Sequence, residues 1–281
     1  MNDELIATRT RRGAGVGLFS LEGRVAVVTG AAAGIGRAIA LGLAENGADV
    51  AVCDINEDGL AQTLKQIGAL GRKGIAVRCD VEHPAEIEQF FAEVDRAFDR
   101  IDILVNNVGH VARAKPEELA LDDWNWVLAT GVTAALLCAQ EAGRRMMEAG
   151  QGGSIINISS IAGASALGRG NLSHSANKGA IHQVTRELAV EWAKHGIRVN
   201  AILPCQVLTE GFQQWLDSPT FDPGLMDRFL TGIPMNRLAK PEDIAGPAVF
   251  LASDAAAMVT GTLLAVDGGN LALNAGGSHT W

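Results

Sequence analysis

A glycine-rich turn between an apolar run and a helical pattern constrains this chain more than any other feature. The apolar residues 25–28 lead into residues 29–36, which contain Gly30, Gly34 and Gly36. Gly30 permits a tight turn, Gly34 lets a phosphate approach bare backbone, and Gly36 lets the following helix pack closely against the strand. The N–H groups and the dipole of such a helix start face an anion. The sequence therefore predicts a strand, a turn and a helix that bind the pyrophosphate of a dinucleotide.

An acidic residue after the next predicted strand supports this interpretation. Residues 49–53 form a mainly apolar run that ends in Asp54, eighteen residues after Gly36. A carboxylate there accepts hydrogen bonds from the ribose hydroxyls of adenosine and repels a 2′-phosphate. We therefore predict NAD as the cofactor in preference to NADP. A glycine-rich turn that binds no ligand is the alternative.

Strand and helix patterns alternate along the chain. Seven short runs have strand character, at residues 25–28, 49–53, 74–78, 101–105, 154–158, 198–203 and 263–266. Helical segments separate them, and the long crossovers and missing hairpin signals favour parallel pairing. The sequence predicts a single-domain, Rossmann-type α/β fold. Its doubly wound sheet has seven parallel strands in the order 3-2-1-4-5-6-7, and the ligand lies at the carboxyl ends of strands one and four.

Five segments outside the strands carry further predictions. Residues 121–149 and 173–195 have the apolar period of long helices. Residues 205–238 break the alternation with aromatic residues and prolines, so this insert is predicted to be a substrate lid, with a plain surface subdomain as the alternative. Residues 1–20 are predicted to be a flexible arm. Residues 271–281 are predicted to be a tail that docks on a neighbouring subunit, with disorder as the alternative.

Composition excludes several classes of function. The chain has 281 residues, is 48% hydrophobic and carries a formal net charge of −9, which disfavours nucleic acid and anionic membranes as partners. No apolar run approaches the roughly 20 residues of a membrane helix, and the start lacks an apolar signal core. The four cysteines lack zinc-like spacing, so we predict reduced core thiols and no metal site. These observations predict a soluble, cytoplasmic protein that acts on a small molecule.

With further motifs included, the chain resembles the short-chain dehydrogenase/reductase family over about residues 20–270, which gives a domain of residues 21–270. The matching motifs include Asp80-Val81, Asn106-Asn107-Val108-Gly109, Ser159-Ser160, Lys178, Pro204 with Thr209, and Asp267-Gly268-Gly269. The resemblance implies hydride transfer between an alcohol and NAD, and pairing through the two long helices into a homo-oligomer, either a dimer or a tetramer. A weaker similarity points to the branch that oxidises polyols and sugar acids. The cofactor residues implied are Gly30, Gly34, Ile35, Gly36, Asp54, Asp80, Val81, Asn107, Gly109, Lys178, Pro204, Val207 and Thr209.

The sequence departs from the family at the catalytic positions. The family combines a serine, a tyrosine and a lysine with an asparagine on the preceding long helix, and its tyrosine lies four residues before the lysine. That position holds His174 here, and the chain contains no tyrosine. Gly131 stands where the asparagine is expected. The serine is Ser160 or its neighbour Ser159.

A histidine suits the proton transfer that accompanies hydride transfer. Imidazole, with a pKa near 6.5, is largely a neutral base at neutral pH, and the Lys178 cation would lower that pKa further. We therefore predict Ser160, His174 and Lys178 as catalytic residues, with alcohol oxidation as the favoured direction. The alternative is that His174 only fills the space of the tyrosine, and a bound water is a further way to complete its contact.

Other side chains are candidates for binding the substrate. His110 follows a strand end, and Arg113 and Arg169 could bind a substrate carboxylate. A solvated loop histidine and exposed arginines are the alternatives. His182 lies away from the strand ends and is predicted to be at the surface.

Three functions remain open on the sequence alone. The first is an NAD-dependent dehydrogenase that uses His174 or a water it positions. The second is a non-redox enzyme, such as a lyase or an isomerase, on the same fold. The third is a catalytically silent NAD-binding protein, because the fold alone does not decide function.

Overall fold

The computed structural model describes residues 17–219 and 221–274, so most of the predicted arm and tail lies outside the described residues. Its seven strands are β1 (Val25–Thr29), β2 (Asp49–Asp54), β3 (Gly74–Arg78), β4 (Ile103–Asn106), β5 (Gly153–Ile158), β6 (Ile197–Pro204) and β7 (Leu263–Val266). They form one parallel sheet in the order β3-β2-β1-β4-β5-β6-β7. The predicted fold class and strand order are confirmed.

Helices cover both faces of the sheet. They are α1 (Gly34–Glu45), α2 (Glu57–Ala69), α3 (Pro84–Ala97), α4 (Leu121–Leu128), α5 (Ala134–Ala149), α6 (Leu172–Trp192), α7 (Glu210–Leu216), α8 (Gly224–Thr231) and α9 (Pro241–Ala252). Helices α7 and α8 lie in the insert at residues 205–238, where the sequence analysis assigned no helix. Within the described residues, no helix is both long enough and apolar enough to cross a membrane.

The segment at residues 121–149 is not the single regular helix that its periodicity predicted. A π-helical turn at Ala129–Thr133 separates α4 from α5. The apolar pattern reports which face is buried, but it carries no information on a local change in hydrogen bonding. A side chain from another helix lies against this turn, as described below.

Alternation along the strands divides the core into two layers. Val25 and Val27 contact one cluster with α3 and α5, whereas Ala26 and Val28 contact the other cluster with α1 and α9. Strands buried on both faces need apolar residues at consecutive positions, which explains the continuous apolar runs in the sequence. Three of the four cysteines are buried, Cys205 is partly buried, and all four are free thiols.

The strand order fixes where a ligand can bind. Strand β1 pairs with β2 on one side and with β4 on the other. The strands that follow β1 are therefore added first to one side of it and then to the other. The loops that follow β1 and β4 diverge at this point and leave a crevice at the carboxyl ends of the strands. The glycine turn, the β5 strand end and the insert at residues 205–238 all border this edge of the sheet.

Candidate active site

The turn after β1 has a backbone that glycine adopts readily and other residues do not. Gly30 and Gly34 have φ angles of 63° and 53°. A Cβ atom at Gly36 would lie 2.1 Å from the carbonyl oxygen of Gly30, which excludes any side chain there. Glycine is therefore required at Gly30 and Gly34 by the backbone conformation, and at Gly36 by the close packing of α1 against the turn.

Asn107 ties this turn to the end of β4. Its backbone N–H donates to Thr29 Oγ1 at 3.0 Å, and its side-chain Nδ2 donates to the carbonyl oxygen of Gly30 at 2.9 Å. These two bonds hold the β1 and β4 strand ends together. The predicted cofactor residues of the two loops are thereby brought to one place.

The start of helix α1 already binds an anionic group of the protein. The Gly34 N–H donates to Glu210 Oε2 at 3.0 Å, and Arg37 Nη1 lies 3.7 Å from Glu210 Oε1. Thr209, the preceding residue, packs beside Gly34. A carboxylate at this position makes the hydrogen bond that a cofactor phosphate makes at a helix start. The residues present therefore fit the pyrophosphate of a dinucleotide, which would replace the Glu210 carboxylate.

Asp54 and Asp80 follow the neighbouring strands β2 and β3. The Asp54 carboxylate accepts hydrogen bonds from the N–H groups of Ala32 and Asn56, both at 3.0 Å. These bonds fix the carboxylate at the edge of the crevice, next to the glycine turn. The Asp80 carboxylate accepts from the Glu82 N–H at 3.0 Å. Both acids thus lie at the end of the crevice where the sequence analysis predicts the adenosine.

Lys178 is almost fully buried beside the ends of β4 and β5. Its ammonium Nζ donates to the carbonyl oxygen of Ile158 at 2.8 Å. A Cβ atom at Gly109 would lie 3.0 Å from Lys178 Nζ, so Gly109 leaves room for the ammonium group. Burial lowers the pKa of Lys178 to about 8. One of the three ammonium donors is used by Ile158, which leaves two for a ligand.

His174 lies one helical turn before Lys178 on α6. Its Nδ1 is 3.3 Å from the backbone carbonyl oxygen of His110. A carbonyl oxygen accepts but cannot donate, so this bond places the proton on Nδ1 and leaves the Nε2 lone pair available. Burial, together with the charges of Lys178 and Arg113, lowers the pKa of His174 to about 4. At neutral pH the side chain is therefore a neutral imidazole that accepts a proton at Nε2.

The two candidate serines have different environments. The hydroxyl of Ser159 is buried and donates to the backbone carbonyl of Lys178 at 3.3 Å. The Oγ of Ser160 accepts from the Ala162 N–H at 3.1 Å, which leaves its own proton free to donate. Ser160 is also the partly exposed member of the pair. Its environment suits a contact with the substrate oxygen, whereas Ser159 holds α6 against β5.

Aromatic side chains hold the two candidate arginines in place. The Arg113 guanidinium lies 4.6 Å from the ring centre of Trp215, and that of Arg169 lies 4.9 Å from the ring centre of Phe229. Both rings belong to the insert at residues 205–238. Burial and the charges of Arg113 and Arg228 lower the pKa of Arg169, so three cations are clustered. Arg169 and Phe229 line a cavity of about 370 Å³ between the insert and the β5 loop.

His110 stacks on Trp126, with ring centres 4.5 Å apart, and burial lowers its pKa. The remaining predicted cofactor residues lie around the crevice: Ile35 in α1, Val81 after β3, Pro204 at the end of β6, and Val207, which pairs with Ala239 in an isolated bridge.

Two contacts involve residues that the sequence analysis did not single out, Glu210 at the glycine turn and Asn177 beside the π-turn. The prediction that His182 is at the surface is wrong, because its side chain is buried against Gly163.

Comparisons with known proteins find relatives that match most of the chain. A family profile described as Enoyl-(Acyl carrier protein) reductase matches residues 30–270. The chain is 43% identical to D-threitol dehydrogenase of Mycolicibacterium smegmatis, over 89% of this chain and 94% of that protein. It is 40% identical to 2-dehydro-3-deoxy-D-gluconate 5-dehydrogenase of Escherichia coli, over 90% of this chain and 98% of that protein.

A solved structure extends the likeness to three dimensions. The gluconate 5-dehydrogenase of Burkholderia cenocepacia, in complex with NADP and tartrate, is 32% identical to this chain. The match covers 93% of this chain and 100% of the other, with a TM-score of 0.86. The family profile, the sequence relatives and the solved structure each match most of the chain. The chain is a member of the short-chain dehydrogenase/reductase family of oxidoreductases.

Proposed function

We propose that this protein oxidises a secondary hydroxyl of a sugar acid, with NAD as the oxidant and His174 as the proton acceptor. The observation that carries the proposal is the hydrogen bond between His174 Nδ1 and the His110 carbonyl. This bond orients the imidazole and fixes Nε2 as the basic atom. The likeness to dehydrogenases of polyols and sugar acids supports the reaction class.

Each catalytic side chain has a role that its contacts support. NAD, when bound, accepts the hydride from the carbinol carbon. Nε2 of His174 takes the hydroxyl proton as the C–H bond breaks, so a neutral alcohol becomes a carbonyl product. Ser160 donates its hydroxyl proton in a hydrogen bond to the substrate oxygen. Lys178 would hold the cofactor ribose through its ammonium group, and its charge adds to the effect of burial in lowering the pKa of His174.

The arginines favour an anionic substrate over a neutral polyol. After burial and the charge of Lys178, the charge of Arg113 also lowers the pKa of His174. Arg113 and Arg169 lie against aromatic rings of the insert, and neither forms an ion pair in the described part of the chain. A substrate carboxylate would compensate these charges. The insert would then act as a lid that carries the aromatic supports of both arginines.

A substrate panel tests the proposed function. We expect NAD reduction with hexonates and 2-keto-3-deoxy sugar acids, and at least tenfold lower kcat/KM with threitol or glycerol. Arg113→Ala should raise KM for the acids by about 10- to 100-fold and leave the weak polyol reaction unchanged. Arg186→Ala, on the exposed face of α6, is the matched control. If no panel compound reduces NAD, and metabolite screening instead finds non-redox turnover, the dehydrogenase assignment is wrong.

The choice of NAD over NADP depends on Asp54. Its carboxylate is fixed by two backbone N–H groups and would repel a 2′-phosphate. We expect Asp54→Ala to narrow the ratio of NAD affinity to NADP affinity by about tenfold, equivalent to about 1.4 kcal/mol. Asp49→Ala, at the other end of β2, should leave the ratio unchanged. Titration of both cofactors measures this, and tighter binding of NADP by the parent protein would contradict the assignment.

The oligomeric state of the protein and its location in the cell stay predictions. Two exposed apolar side chains, Leu121 at the start of α4 and Val190 in α6, lie on the helices predicted to pair. We therefore propose that two or four copies associate through α4, α5 and α6, and sedimentation velocity measures this directly. A monomer at micromolar concentration would contradict the proposal. A cytoplasmic location is proposed from composition alone.

A further inference from the structure

The π-turn between α4 and α5 is shaped by a side chain from α6. A Cβ atom at Gly131 would lie 2.1 Å from Nδ2, 2.3 Å from Oδ1 and 2.5 Å from Cγ of Asn177. The amide group of Asn177 thus occupies the space in which a side chain at position 131 would begin. Any residue other than glycine at 131 would collide with it.

Asn177 is bonded to the turn and not only packed against it. Its Oδ1 accepts from the Val132 N–H at 2.7 Å, and its side chain is fully buried. A π-turn interrupts the regular helical ladder, and Asn177 satisfies one of the N–H groups affected. Asn177 Nδ2 is buried and has no partner within the described residues. Only the oxygen of the Asn177 amide is therefore used by the turn.

We propose a reciprocal exchange between positions 131 and 177. Position 131 holds glycine in place of the expected asparagine, and Asn177 of α6 supplies the side-chain amide. Asn177 precedes Lys178 directly and follows His174 by three residues. Its bond to Val132 therefore fixes the turn of α6 that carries the base and the lysine against the α4–α5 junction. Asn177 is thus a positioning residue, which acts through Lys178 and His174 and does not itself contact the substrate.

A double-mutant cycle tests this exchange. Asn177→Ser should lower kcat by roughly ten- to a hundredfold, with a smaller change in the dissociation constant of NAD because the glycine turn and Asp54 remain intact. Gly131→Asn alone should be at least as harmful, since two amides then compete for one space. The double variant should recover kcat to within about fivefold of the parent and should also recover the melting temperature.

Asn200→Ser is the matched control. Asn200, on β6, is also a fully buried asparagine, and its side chain is bonded to Val259 and Thr262. We expect its loss to lower the melting temperature without lowering kcat, and Gly131→Asn should not rescue it. The control separates a general loss of packing from a specific loss of positioning.

Several outcomes would overturn the proposal. A double variant no better than the product of the single effects would show that the two positions are independent. An Asn177→Ser variant that loses stability but keeps kcat would show a packing role only. If the Gly131→Asn protein does not fold, the measurement of rescue is whether the double variant folds. The kcat measurements depend on the proposed function, whereas the melting-temperature measurements do not. A failure of the exchange can therefore be distinguished from an absence of turnover.

Discussion

Replacing His174 by alanine is expected to lower kcat for alcohol oxidation by about 10²- to 10⁴-fold, the usual contribution of a general base. The dissociation constant of NAD should stay within about threefold, because Asp54 and the glycine turn remain intact. The physical reason is that Nε2 of His174 is the proton acceptor oriented by the His110 carbonyl. Steady-state kinetics and a separate NAD titration measure the two effects.

Two further histidine variants sharpen this result. His182→Ala removes a second buried histidine on the same helix and should reduce stability without changing the pH dependence of the rate. His174→Tyr restores the family residue beside Lys178. Loss of activity in this variant would mean that the site is built around imidazole, whereas a gain over an inert parent would favour the silent or non-redox alternatives. Full activity in His174→Ala would exclude His174 as the base.

Substitution of Gly36 by alanine is expected to abolish cofactor binding. The new Cβ would lie 2.1 Å from the Gly30 carbonyl oxygen and 2.8 Å from its carbonyl carbon, and neither atom can move without displacing the turn. We expect at least a hundredfold weaker binding of NAD and a markedly lower melting temperature. Overpacking of this kind typically costs about 1–3 kcal/mol or more.

A second helical glycine supplies the control for Gly36. Gly68 lies in α2, and a Cβ there would meet no atom within 4 Å. Gly68→Ala should therefore keep NAD binding unchanged and raise stability slightly, by up to about 1 kcal/mol. Isothermal titration and thermal unfolding of both variants give the comparison. A Gly36→Ala protein with parental NAD affinity would contradict the packing described for the turn.

The parts of the fold that follow from local patterns were predictable from the sequence. Buried parallel strands need continuous apolar runs, and the seven runs predicted the seven strands. The strand order was predicted from the Rossmann-type topology. The glycine turn was equally predictable from the sequence, because both its backbone conformation and the close approach of a phosphate or a neighbouring strand require glycine. The reaction class was implied by the resemblance to the short-chain dehydrogenase/reductase family, and the relatives support it.

Contacts between distant segments were not predictable in the same way. Gly131 and Asn177 meet only because α6 packs on the α4–α5 junction, and no local period records that contact. The Glu210 carboxylate reaches Gly34 across the crevice from the insert, so its role also depends on tertiary structure. His182 was misplaced because its helix position was judged without knowing that the β5 loop covers it. The pKa of His174 likewise depends on burial that only the folded chain supplies.

The pH dependence of stability follows from the same burial. The pKa of His174 is about 4 in the folded protein and near 6.5 in the unfolded chain. Between these values the unfolded state binds a proton that the native state does not, so this residue lowers stability as the pH falls from 6.5 to 4. His174→Ala should flatten that part of the stability curve.

The pH profile of kcat/KM for NAD-dependent oxidation of the best acid substrate tests the role of His174 most directly. With a base of pKa about 4 and a lysine of pKa about 8, the rate should be independent of pH from about 5 to about 7.5. It should fall below that range as His174 is protonated, and this acid limb should be missing from the residual rate of His174→Ala. A rate that climbs steadily through pH 9 in the parent, or an acid limb that survives in the alanine variant, would contradict the assignment of His174 as the proton acceptor.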